Sequence, residues 1–155
     1  MNIIVPSCSM RSKPDKKSEL ETQCLYGETL EILDSHQEWF YCKLLTDNYL
    51  GWINKKNFDH MISPTHRVIA NRTFLFQEKN IKSFYFYYLP LGAQIFVEDY
   101  EDNWAKVYLY NKNRKKTAYI PRNHLVKLDH KLSKFTWFGV GGNAEILFMP
   151  ENEKS

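Results

Sequence analysis

The sequence predicts an all-β chain: two small barrels in tandem, followed by a short β-prone C-terminal tail. Three observations carry this. Apolar residues alternate at period two over short runs separated by turn signals, whereas no segment keeps a 3.6-residue period. Gly27 and Gly92 lie 65 positions apart, as do Trp39 and Trp104. Around them the text repeats, Leu25 to Leu33 against Pro90 to Val97, and Trp39-Phe40-Tyr41-Cys42 against Trp104-Ala105-Lys106-Val107. Gly51-Trp52-Ile53 aligns with Ala118-Tyr119-Ile120 at an offset of 67, which places a two-residue insertion in the basic stretch Asn111 to Lys116. One offset shared by so many unlike residues points to two copies of one unit.

In the first copy, strands are expected near Ile3–Val5, Thr29–Leu33, Trp39–Leu44 and Tyr49–Ile53. Turns at Ser12-Lys13-Pro14-Asp15, Asp34-Ser35-His36-Gln37 and Thr46-Asp47-Asn48 punctuate them. In the second copy the corresponding strands are Arg67–Ala70, Gln94–Glu98, Trp104–Tyr110 and Thr117–Ile120. About five short strands with one long loop describe a small, partly open barrel. The loop from Ser7 to Tyr26 is long for so small a unit, and long loops tend to be functional. His60 to Thr65 joins the copies and Asp129 to Lys131 is a polar break, so the expected division is 1–60, 65–128 and 129–155.

Composition narrows the function classes. At 155 residues, each copy buries little surface alone and should lean on its neighbour. Four Trp, ten Tyr and ten Phe supply large buried areas. A net charge of +3 with both signs interspersed argues against a dedicated nucleic-acid binder. Cys8, Cys24 and Cys42 are odd in number and lack CxxC spacing, so reduced, partly buried thiols are expected and no zinc site. His36, His60, His66, His124 and His130 show no paired ligand spacing, so surface or satisfied histidines are expected. No N-terminal basic-plus-apolar leader and no run of eighteen apolar residues is present, so the chain reads as cytoplasmic with no membrane partner.

Gly139-Val140-Gly141-Gly142-Asn143-Ala144 fits G-x-G-x-x-A formally, but strand-like residues follow where a dinucleotide fingerprint opens a helix. No cofactor is expected. Lys112, Arg114, Lys115 and Lys116 form a basic run between two strands, read as a solvated hairpin tip with a patch for an acidic ligand as the alternative. Lys13, Lys16 and Lys17 are read the same way. Core packing is expected for Trp39 and Trp104, which alternate with polar neighbours. Tyr49, Trp52 and Tyr119 are the candidate ligand-binding residues; for Tyr49 and Trp52, beside a turn, groove and core are both open.

Thr22 to Glu28, the Trp39 strand and Asp47-Asn48-Tyr49-Leu50-Gly51-Trp52-Ile53 resemble the first bacterial SH3-like domain of NlpC-type cysteine endopeptidases. Pro64 to Val68, Leu89 to Ala93 and Trp104 resemble the second, so the resemblance covers residues 3–128. Asn48 stands where the family's run carries Gly, and Asn tolerates the same turn conformation. The resemblance implies cell-wall chemistry, since these enzymes cleave between gamma-D-glutamate and a diamino acid. Their nucleophile sits in an Asp-Cys-Ser-Gly run downstream of both barrels, and no such run occurs here. No catalytic residue is therefore carried over, and the expected function is non-catalytic binding of a cell-wall peptide or a protein partner.

Phe135-Thr136-Trp137-Phe138-Gly139-Val140-Gly141-Gly142-Asn143-Ala144 and its continuation to Pro150 resemble the opening of UDP-N-acetylenolpyruvoylglucosamine reductase, a flavoenzyme. That family's flavin and substrate residues lie in later sequence. The alternative expectation is accordingly a fragment of an enzyme of peptidoglycan metabolism, either the endopeptidase or this FAD-dependent dehydrogenase, from a truncated or frameshifted reading frame. The tail is expected to be the least ordered part of the chain.

Overall fold

A computed structural model of the chain describes residues 1–111 and 114–128. The C-terminal resemblance and the expected disorder of the tail both fall outside the described residues. Within them the architecture is all-β, as predicted, with helix limited to single 3-10 turns at Lys55–Asn57 and Arg122–His124.

The first five-stranded sheet contains β2 (Ser7–Arg11), β3 (Leu20–Leu25), β4 (Leu30–His36), β5 (Trp39–Leu44) and β6 (Leu50–Asn54), in the order β3-β2-β6-β5-β4. Short β1 (Asn2–Ile3) pairs with β7 (Phe58–Asp59) beside it. The second five-stranded sheet contains β9 (Arg72–Phe76), β10 (Tyr85–Pro90), β12 (Val97–Glu101), β13 (Trp104–Asn111) and β14 (Arg114–Pro121), in the order β10-β9-β14-β13-β12. A three-stranded sheet, β11-β8-β15, is built from β8 (His66–Val68), β11 (Gln94–Ile95) and β15 (Leu125–Lys127). All pairings are antiparallel, and the register slips once in each outermost pairing: β2–β3, β4–β5, β9–β10 and β12–β13. The pairings β5–β6 and β13–β14 run without a slip.

The Ser7–Tyr26 segment is not the expected loop. It is the β2–β3 hairpin, and β9–β10 is its counterpart in the second sheet. At the first tip Lys17 N donates to Asp15 Oδ1 at 2.9 Å and Ser18 Oγ donates to the Asp15 carbonyl at 2.7 Å. Lys82 N to Asn80 Oδ1 (2.8 Å) and Ser83 Oγ to the Asn80 carbonyl (2.7 Å) are the same bonds 65 positions on. The Asx turn closes the tip by giving a side-chain acceptor to a backbone donor that no strand reaches. The turn expected over Asp34–Gln37 falls later, since β4 runs through His36 and the turn uses Gln37 at φ 55. Asp102 repeats that conformation at φ 57. Asn48, at φ 66, adopts the left-handed turn expected of it.

Two apolar cores lie under the sheets. Ile3, Met10, Cys24, Leu30, Cys42, Leu44, Ile53 and Phe58 fill the first. Val68, Leu75, Leu89, Ile95, Val107, Ala118 and Ile120 form the centre of the second. Cys42 and Val107 occupy matching core positions, as their alignment predicts. Trp39 and Trp104 do not: both are only partly buried, and they lie outside both cores. They sit on the sheet face opposite Cys42 and Val107, and it is the smaller members of the alternating pairs that point inward.

The halves meet at Tyr26-Gly27. The Tyr26 ring is fully buried within the second core, 6.2 Å from the Tyr87 ring, although its backbone continues β3. Its carbonyl accepts from Gln94 N at 2.7 Å. Gly27 has φ +83, and a Cβ there would fall 1.8 Å from the Gln94 carbonyl oxygen, so only glycine permits this approach.

Candidate functional site

Strand β5 presents Trp39, Tyr41 and Lys43 on the outer face of the first sheet, because Cys42 and Leu44 alternate with them into the core. Trp52 on β6 is directly opposite Tyr41, with ring centroids 5.3 Å apart, and pairs with Arg11 of β2 on its other side. The strands can close to this spacing because residue 51 is glycine. A Cβ there would meet Met10 Cγ at 2.4 Å and the Arg11 carbonyl at 2.9 Å. Tyr49 follows the turn, where its N–H donates to Asp47 Oδ1 at 3.1 Å and its carbonyl accepts from Leu44 N at 2.9 Å. Its side chain is 46% exposed, and Leu50 beside it is also exposed. Tyr49 is thus a surface residue, and Trp52 a half-buried one on the outer face.

Tyr119 lies on the outer face of the second sheet, opposite Lys106 of β13 and Phe76 of β9. It holds in its sheet the place that Trp52 holds in the first. Among the described residues no ring contact joins it to Tyr49 or Trp52.

Several polar groups are internal. Glu28 is buried at the joint, where its Oε2 accepts from Leu25 N at 2.7 Å, and burial raises its pKa above the usual carboxylate value. Burial in turn lowers that of Arg67, which lies close enough to Glu28 for their charges to interact. His66 Nδ1 is 2.8 Å from Thr65 Oγ1 and its Nε2 bonds Tyr100 Oη. His124 Nδ1 is 2.8 Å from Thr73 Oγ1. Burial lowers the pKa of both imidazoles, and both have hydrogen-bond partners, as expected of satisfied histidines. His36 and His60 are exposed.

Two of the three thiols, Cys24 and Cys42, are buried. The hydrogen bond between Cys24 and Cys8, with burial, pushes the Cys24 pKa far up, and burial, aided by the nearby Cys8, carries Cys42 to about 11. A protonated, buried thiol neither attacks carbonyls nor binds metal readily. No group of three or more potential metal ligands occurs among the described residues. None of their helices is long and apolar enough to cross a membrane.

Arg114, Lys115 and Lys116 of the basic run sit on β14, and Lys112 lies outside the described residues. Lys115 Nζ lies 3.5 Å from the centroid of the Tyr108 ring and Lys116 Nζ 4.3 Å from that of Phe86, so these cations are held by ring faces. A feature absent from the sequence-based candidates is the aromatic face around Arg72, Phe74, Tyr85 and Tyr88. The signal available for it was the density of the run Phe84-Tyr85-Phe86-Tyr87-Tyr88.

Comparison with known proteins places these observations. The family model for the bacterial dipeptidyl-peptidase SH3 domain matches residues 10–58. The crystal structure of an NlpC/P60 family protein from Bacillus cereus ATCC 10987 superposes with a TM-score of 0.66 at 14% identity, over 82% of this chain. The chain spans 55% of that protein's length. At this identity the likeness establishes a shared fold. Curated proteins give no match.

Proposed function

We propose that the chain is a non-catalytic recognition module made of two SH3-like units, residues 1–60 and 65–128, that binds a cell-wall peptide or a protein partner. The observation that carries this is the match of residues 10–58 to a bacterial peptidase SH3 domain, together with the outer face that those residues build. On that face the Trp52 ring is tilted against Tyr41, while Tyr49, at the turn before β6, is exposed. A ring held by its neighbour is suited to gripping an extended peptide, because the contact area is gained at small cost in side-chain entropy. Tyr119 is the second unit's counterpart.

The test is an amide-shift titration of the whole chain with a gamma-D-glutamyl-diamino acid peptide. Shifts confined to Tyr49, Leu50, Trp52 and their strand neighbours are expected, with Trp52→Ala abolishing them. No shift at millimolar peptide would remove the cell-wall assignment. The second reading, part of a peptidase, draws on the chain's spanning only 55% of its structural neighbour. Hydrolysis of the same peptide by this chain alone would establish that reading instead.

A further inference from the structure

The two five-stranded sheets use one backbone plan to present different chemistry. In the first, Ser7 pairs with Leu25, Ser9 with Gln23 and Arg11 with Leu20. In the second, Arg72 pairs with Pro90, Phe74 with Tyr88 and Phe76 with Tyr85, each position 65 further along and with the register slip in the same interval. The positions filled by Ser7, Ser9 and Gln23 on one sheet therefore carry Arg72, Phe74 and Tyr88 on the other. Because the same pairing forms with serine and glutamine, the fold does not require the rings.

They are expensive to leave in water. Tyr85 is 49% and Tyr88 45% exposed. Phe74 joins them, with centroids 4.6 Å from Tyr85, 6.5 Å from Tyr88 and 6.1 Å from Phe76, and Phe76 meets Trp104 edge-on at 5.8 Å. Ring contacts so run from β10 through Phe74 and the buried Phe76 to β13, with Tyr85 and Tyr88 forming the exposed part of an aromatic surface. Such a surface marks an interaction site more often than an isolated exposed ring does.

Arg72 defines what the surface can hold. Its guanidinium carbon sits 5.2 Å from the Phe74 centroid and 5.5 Å from that of Tyr88. Among the described residues the ion pairs are Lys55–Glu38, Lys79–Glu101 and Lys106–Glu98, so no described carboxylate engages Arg72. A guanidinium held against two rings keeps its N–H edge as a rigid fork that matches a carboxylate. The surrounding charge agrees: residues 65–128 contain eleven Lys and Arg against five Asp and Glu, whereas residues 1–60 contain seven against nine.

We infer that the outer face of the second sheet, centred on Arg72, Phe74, Tyr85 and Tyr88, docks an acidic peptide segment. One carboxylate sits in the Arg72 fork and the neighbouring apolar side chain lies against Tyr85 and Tyr88. This deepens the proposed peptide recognition and rests on it. A single-stranded nucleic acid fits less well, because base stacking needs open ring faces. Here Arg72 lies over Phe74 and Tyr88, Lys115 over Tyr108 and Lys116 over Phe86.

The experiment titrates the full chain with acetyl-Glu-Leu-Glu-Val-Glu amide, with its all-Gln counterpart, and with the gamma-D-glutamyl-diamino acid peptide. The Glu peptide should shift Arg72, Phe74, Tyr85 and Tyr88, and the Gln peptide should bind about ten- to a hundredfold more weakly, as expected for loss of charge-assisted hydrogen bonds. Arg72→Lys should also weaken binding, since an ammonium keeps the charge but not the fork. Exchanging Arg72→Ser, Phe74→Ser and Tyr88→Gln together transfers the first sheet's residues to the second and should abolish binding. If that variant does not fold, Arg72→Gln alone gives the same answer. Equal binding of the Glu and Gln peptides overturns the inference, as does preferential binding of oligothymidylate or of phosphatidylglycerol vesicles. Cell-wall peptide that shifts Tyr49 and Trp52 while the Glu peptide leaves Arg72, Phe74, Tyr85 and Tyr88 unmoved would overturn this site while leaving the proposed function intact. Glu-peptide binding at Arg72 with no response to the cell-wall peptide would support the site and remove the cell-wall assignment.

Discussion

Replacing Gly27 by alanine tests whether the joint couples the two halves. The new methyl would lie 1.8 Å from the Gln94 carbonyl oxygen and 2.6 Å from its carbon, both backbone atoms, where ordinary contact begins at 3.4 Å. No rotamer change relieves a backbone clash, so the strands must separate. Separation breaks the 2.7 Å bond from Gln94 N to the Tyr26 carbonyl, worth about 1 kcal/mol. Holding a non-glycine residue at φ +83 adds about 1–3 kcal/mol. The expected loss is therefore about 2–4 kcal/mol if the Tyr26 ring keeps its place. If the ring is drawn out of the second core, about 3–5 kcal/mol more is lost, enough to unfold a domain of ordinary stability. Urea unfolding followed by indole fluorescence, in variants retaining either Trp104 or only the tryptophans of the first sheet, separates the halves. Both reporters should move to lower urea together. A midpoint change equivalent to less than about 0.5 kcal/mol, or a change in the first sheet alone, would refute the coupling.

Three further outcomes follow from the packing. Trp104→Ala should cost about 2 kcal/mol, short of the 3–5 typical of a core aromatic, because the ring is half-buried against Phe76; Ile120→Ala, fully buried, should cost at least as much by chemical denaturation. Stability should fall with acidification below pH 6.5, since His66 and His124 have pKa values lowered by burial and their contribution is lost as pH falls through those folded values. Glu28, raised above 4.5, acts in the opposite sense at lower pH, and a melting series with His66→Gln and His124→Gln should show a flatter acid limb. A thiol reagent at neutral pH should modify the partly exposed Cys8 well before Cys24 and Cys42, as mass spectrometry of the native chain would read; equal rates would contradict their burial.

The β class was legible because alternation and glycine spacing are local properties. The β2–β3 hairpin was not, since Pro14 and the lysines around it read as loop while the pairing partners sit as far apart as Ser7 and Leu25. The clue was the spacing Asp15–Ser18, reproduced by Asn80–Ser83, which builds the same tip twice. Alternation also told that Trp39 and Cys42 face opposite ways without telling which way is inward. That depends on the width left between layers, a tertiary quantity. Tyr26 was beyond local patterning altogether, because the core receiving its ring comes from the other half of the chain. At the candidate site, Tyr49 and Trp52 were placed on the first sheet's surface by the turn before them, whereas the stacking of Arg72 needed the register of β9 against β10.

The four register slips bear on how such a chain avoids sticking to itself. Within the two five-stranded sheets each falls in the pairing that involves an outermost strand, β3, β4, β10 or β12, while the slip-free pairings lie further in. A slip twists the edge and spoils the even ladder of donors and acceptors that an incoming strand would extend. On β10, Pro90 removes one further donor. Exposed tyrosines and phenylalanines can then stand beside that edge without templating cross-β stacking between molecules. Whatever the chain holds must be gripped by side chains across the broad faces, so specificity is written in residues that can change without disturbing the ladder beneath.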